Sequence, residues 1–174
     1  METSYKFKIY PDEEQREYLN NNFRCVCFVY NYFLKRRTEA YENDHKNLGL
    51  NACCHELTKL KHSEPYKFLI EVDSTGLQQA VVDLDNDFQV FFKKKTKNSY
   101  PKYKKNIDVH SYRIEKKIDE KTGYSNVYFV DGYLRIPKIS KIRLAENEVI
   151  PENLKFDYVT ISRDENNEYF AILK

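Results

Sequence analysis

Glycine is scarce, with 4 in 174 residues, and neither GxGxxG nor GxxxxGK(S/T) occurs. Loops that wrap a phosphate with bare backbone are excluded, and P-loop nucleotide hydrolysis with them. No apolar run approaches the ~18 residues of a membrane span. The opening METSYKFKIY has no apolar core of a secretory signal, so no membrane partner is expected and the compartment is read as cytoplasmic. The 4 cysteines, Cys25, Cys27, Cys53 and Cys54, include no separated pair of C-x-x-C motifs, and near neighbours make poor disulfides. They read as reduced packing thiols, with no metal site. His45, His55, His62 and His110 fall at helix ends or in polar loops, so no nucleophile–histidine–acid arrangement can be built. No catalytic residue and no cofactor are expected.

What is present is a folded composition, 41% hydrophobic and 32% charged, with one strong asymmetry. Residues 1–92 carry 11 basic and 15 acidic side chains, residues 93–117 carry 10 and 2, and residues 118–174 carry 8 and 10. The middle segment therefore holds all the positive excess, with Tyr100, Tyr103 and Tyr112 set among its lysines. Two readings fit: a solvated connector, or a nucleic-acid contact in which lysines meet phosphates and an aromatic stacks on a base.

Patterning predicts the frame. Tyr5, Phe7 and Ile9 alternate with Lys6, Lys8 and Tyr10, the period of a half-buried strand. Pro11 ends it, and Asp12 followed by Gln15 reads as a capping box opening a long helix. Leu19, Phe23, Val26, Tyr30 and Phe33 line that helix to about Tyr41. A second helix spans about Ala52 to Lys61. A third, capped by Asp73 or Ser74, shows an apolar stripe of Leu77, Val81, Leu84, Phe88, Phe91 and Phe92. Asp83, Asp85 and Asp87 on it are not read as a metal site, since alternate residues diverge on a helix, and Asp83 and Asp87 are read as a solvated face.

Beyond Tyr100 the period changes to 2, with short strands at 126–130, 133–136, 141–144, 156–162 and 169–173. Turns are expected at 120–123, Asp131-Gly132, 147–151 and Asn166-Asn167. The fold class is α+β: an antiparallel, barrel-like β domain made of residues 1–10 and 100–174, interrupted by a three-helix insert at 11–95.

The ordered motifs YKFKIYPDEEQ, FVYNYFLKRR, ELTKLK, EVDSTGLQQAVVDLDNDFQVFF, YPKYKK, SYR, GYLRIPKISKIR and TISRDENNEYFAIL resemble the TnpB, or OrfB, proteins of insertion sequences. These are transposases related to type V CRISPR effectors. The resemblance implies a wedge domain with a helical recognition (helix-turn-helix) insert, bound to a structured guide-like RNA and to double-stranded DNA. It implies that the RuvC-like nuclease half is absent here, so the chain is not expected to cut DNA. Lys102, Tyr103, Lys104 and Lys105, with Arg113 and Lys138, match an RNA-facing surface. Gln78 matches a position that reads a short DNA motif, and glutamine suits an adenine edge. Asn31 and Tyr30 are read as helix packing. A stand-alone regulator or decoy, repressor or protein-interaction module, is the competing function, and a homodimer through open sheet edges is a further expectation.

Overall fold

The computed structural model describes residues 4–94, 96 and 99–174. Lys95 and Lys97 of the basic segment lie outside the described residues. The elements run β1 (Tyr5–Tyr10), α1 (Glu13–Asp44), α2 (Leu50–Leu60), α3 (Ser74–Lys94), β2 (Ser111–Glu115), β3 (Tyr128–Val130), β4 (Tyr133–Arg135), β5 (Ile142–Leu144), β6 (Tyr158–Arg163) and β7 (Tyr169–Leu173). The chain divides into two compact units, residues 1–23 with 110–174, and residues 24–109.

The first unit is a seven-stranded antiparallel sheet in the order β2-β6-β7-β1-β5-β4-β3, so the fold is α+β. Its curl follows from ring contacts. Adjacent strands lie about 4.8 Å apart, so β1 and β3, separated by two strands, would stand roughly 14 Å apart in a flat sheet. Yet Phe7 and Phe129 have ring centroids 5.6 Å apart. The edges are joined through Asn126, whose Nδ2 donates to the Glu115 carbonyl at 2.9 Å and whose Oδ1 accepts from the Lys117 amide at 2.7 Å. The concave face buries Phe7, Ile9, Tyr112, Ile114, Leu134, Ile142, Val159 and Ile161, the alternate residues of each strand.

Local chemistry accounts for the punctuation. The Gln15 amide donates to Asp12 Oδ1 at 2.8 Å, and the Asp12 amide donates to Gln15 Oε1 at 2.9 Å, the reciprocal capping box. Buried Gln15 also donates through Nε2 to the carbonyls of Ser140 and Lys141, which ties the start of α1 to the segment that leads into β5. Asp131 and Gly132 both take positive φ, 48° and 80°, as a two-residue hairpin between twisted strands requires.

In the second unit, Val29, Phe33, Leu34, Cys53, Leu57, Leu69, Leu77, Val81 and Leu84 form one core. Asp73 carries the cap of α3, its Oδ1 accepting from the Gly76 amide at 2.8 Å and the Thr75 hydroxyl at 2.5 Å. The structure differs from expectation at several points. Phe92 is exposed, because the stripe of α3 outruns the elements that cover it. The acids of α3 also make structural contacts: Asp85 pairs with buried Arg37 at 2.9 Å, and Asp87, although exposed, accepts from the Tyr30 hydroxyl at 2.5 Å. The boundaries of the units also fall elsewhere than 11–95, since residues 100–109 pack with the helices.

Candidate nucleic-acid interface

The segment Tyr100–Lys105 has no regular secondary structure of its own beyond a bend at Tyr100, so its backbone needs partners from elsewhere. Asn31 supplies them. Its Nδ2 donates to the Lys104 carbonyl and its Oδ1 accepts from the Lys104 amide, both at 2.8 Å. One side-chain amide thus imitates a strand partner for a single residue 73 positions away. Cys27 Sγ adds a contact to the same carbonyl at 3.5 Å.

The two ends of the segment are held differently. Tyr100 packs edge-on against Phe88 and Phe91 and shares a hydrogen bond of 2.7 Å with the Thr38 hydroxyl, while Pro101 is buried. The Lys104 Nζ lies 4.1 Å from the centroid of the Tyr30 ring, a cation–π contact. Tyr30 is itself fixed by Asp87, and its phenol is pushed well above its usual range, first by burial and then by the hydrogen bond to Asp87. Lys102, Tyr103, Lys104 and Lys105 remain exposed, Tyr103 at 60%. The loop is a row of cations with one open aromatic face on a pinned backbone, suited to phosphates and a stacked base.

A family model for a helix-turn-helix domain, that of OrfB from IS605, matches residues 1–46. That span contains β1 and α1. A protein of Streptomyces pristinaespiralis named "Putative RNA-guided DNA endonuclease" is 32% identical over 173 residues, covering 98% of this chain and 40% of its own length. InsQ of Escherichia coli K12, named in the same terms, is 24% identical over 97% of this chain and 39% of its own. Virulence protein VsdF of Salmonella dublin is 36% identical over 107 residues, 58% of this chain and 90% of its own length. The chain belongs to the TnpB (OrfB) family. It corresponds to the N-terminal portion, and spans about two-fifths of the length of the two endonuclease-named relatives.

In this TnpB-family chain the expected site residues fall into two groups. Lys102, Tyr103, Lys104, Lys105 and Gln78 belong to the helical unit, and Arg113 and Lys138 to the sheet unit. Gln78 is exposed near the start of α3, about 14 Å along the helix axis from Asp87, so it is not part of the lysine loop. Arg113 stacks its guanidinium 5.4 Å from the Tyr158 ring across the β2–β6 pair. Lys138 is exposed between β4 and β5 with φ 67°.

Among the described residues, no three His, Cys, Asp or Glu side chains gather as a metal-binding group. The cysteines are free. Burial pushes the Cys25 and Cys53 thiols up from an ordinary 9.0 to about 11, so they are poor nucleophiles and poor ligands. No described helix is long and apolar enough to cross a membrane.

Sequence reasoning missed Asn31 as the clamp of the basic loop and assigned it to packing. Its signal was an amide on α1 at i+4 from Cys27, inside the FVYN motif, at a position flanking the apolar stripe.

Proposed function

We propose that this chain is the nucleic-acid-binding, non-cleaving N-terminal portion of a TnpB-type transposase, acting in DNA transposition with a structured RNA and double-stranded DNA as partners. The β part serves as a wedge and the helices as a recognition insert. Lys102, Lys104 and Lys105 hold phosphates, Tyr103 stacks on an unpaired base, Arg113 and Lys138 add phosphate contacts, and Gln78 reads a base edge in the major groove. The observation that carries this reading is the clamped basic loop, where Asn31 fixes the Lys104 backbone through two hydrogen bonds of 2.8 Å while the cationic side chains stay exposed. A solvated connector would have no need of such a clamp. The names of the two endonuclease relatives support RNA and DNA as partner classes.

The test is the salt dependence of binding. Each phosphate contact contributes about 0.7–0.9 to the slope of log affinity against log salt. Replacing Lys102, Lys104 and Lys105 together with Ala should therefore reduce the slope by about 2 to 3 for RNA that co-purifies with the chain and is removed by RNase. An unchanged slope refutes the site.

The second reading is a stand-alone, non-catalytic regulator. It is favoured by one observation, that VsdF is matched over 90% of its own length by this chain. Its mark would be repression of a reporter promoter by the chain alone.

A further inference from the structure

The helical unit contains a cavity of about 400 Å³ walled by the rings of Tyr41, Phe88, Phe91, Phe92 and Tyr100, within the size range of small-ligand sites. The rings stand at varied angles: Phe91 and Tyr100 meet edge-on at 81°, and Phe88 and Phe92 lie 28° from parallel. Arg37 also lines the cavity, but it is not a free charge. It is bound to Asp85 and stacked 4.2 Å from the Phe88 centroid, so it stiffens the wall.

Two of the rings are unusually open. Tyr41 is 64% and Phe92 42% exposed, leaving aromatic surface in water that folding did not cover. Lys46 supplies a cation to the lining, and Lys93 and Lys94 follow Phe92 along the chain in the last turn of α3. An occupant that uses both features is flat, able to stack and anionic, which describes a nucleotide. A neutral hydrophobe would leave the lysines unused. Between the two partners of the proposed function, double-stranded DNA keeps its bases stacked, whereas structured RNA offers unpaired ones.

We infer that this cavity captures one unstacked base of an RNA strand, sandwiched by Tyr41, Phe92 and Tyr100, with its phosphates on Lys46 and the lysines ending α3. The inference rests on the RNA-binding reading and adds a second contact point beside the lysine loop.

The probe is a 12-nucleotide single-stranded RNA with a central 2-aminopurine, titrated with the full chain. Stacking in the cavity quenches its emission. Tyr41→Ala with Phe92→Ala should abolish the quench and weaken binding roughly tenfold, while the salt slope stays put because no cation is removed. Both side chains are exposed, and Phe92→Trp, which keeps a ring, should retain the quench and so separates stacking from misfolding. The lysine-loop variant should do the reverse, keeping the quench and lowering the slope. No quench with the wild-type chain, or a quench and affinity within twofold of wild type in the double alanine variant, overturns the inference. Equal quenching of the same sequence as DNA overturns its assignment to RNA. An unchanged slope in the lysine variant with the quench intact refutes the loop and leaves the cavity supported.

Discussion

Replacing Asn31 with Ala should release the basic loop without unfolding the protein. The side chain makes two hydrogen bonds of 2.8 Å to one residue, Lys104. Each is worth about 0.5–1.5 kcal/mol net of competition with water, so the loop loses roughly 1–3 kcal/mol of docking free energy. Tyr100 and Pro101 still anchor the start of the segment, which confines the effect to the residues after them. The direct readout is hydrogen exchange at the Lys104 amide, whose acceptor is Asn31 Oδ1. Its protection should fall about fivefold to a hundredfold, at ~1.4 kcal/mol per factor of ten. Amides of α2, whose core residues do not touch this clamp, should be unaffected. RNA affinity should fall too, because a partly undocked loop multiplies the affinity by the fraction that remains competent. Asn31→Asp keeps an acceptor for the Lys104 amide but sets an anion against its carbonyl, so it should recover only part of the loss. If Lys104 exchanges in Asn31→Ala as it does in the wild type, the clamp does not hold the loop and the reasoning fails.

Other consequences are more local. Arg37 is 4% exposed and its partner Asp85 16%, so Asp85→Ala should cost about 3–5 kcal/mol in urea unfolding by stranding a buried guanidinium. Replacing both with apolar residues, Arg37→Met and Asp85→Leu, should recover most of it; a loss below 1 kcal/mol for Asp85→Ala would show that the pair is solvated. Cys25 and Cys53, pushed by burial from 9.0 to about 11, hold their protons longer folded than unfolded, so stability should be unaffected below pH 9 and should fall between about 9 and 11. Thiol labelling at pH 8 should spare both in the native chain and reach them in urea, and rapid native labelling of either would contradict their burial.

Much of the framework was legible in the chain because it is enforced locally. The alternation of Phe7 and Ile9 with lysines reports which face of a strand is buried, the Asp12–Gln15 reciprocity satisfies the open amides of a helix start, and Asp131-Gly132 supplies the positive φ of a tight hairpin. Each is a matter of backbone geometry within a few residues. The excess of lysine at 93–117 was likewise plain, and it pointed to the loop that carries the candidate site.

What only the tertiary structure decided is which distant groups meet. Nothing in the period of α3 distinguishes a solvated aspartate from Asp85, which faces Arg37 across 48 residues, or from Asp87, which takes the Tyr30 hydroxyl across 57. The same holds for Asn31, whose role depends on a backbone 73 residues away, and for β2, whose partners on β6 lie 43 to 51 residues along the chain. Local sequence sets the conformation and the face each residue presents. The partner waiting at that face is set by packing, because a buried charge or an open peptide group is satisfied by whatever the folded chain brings within about 3 Å.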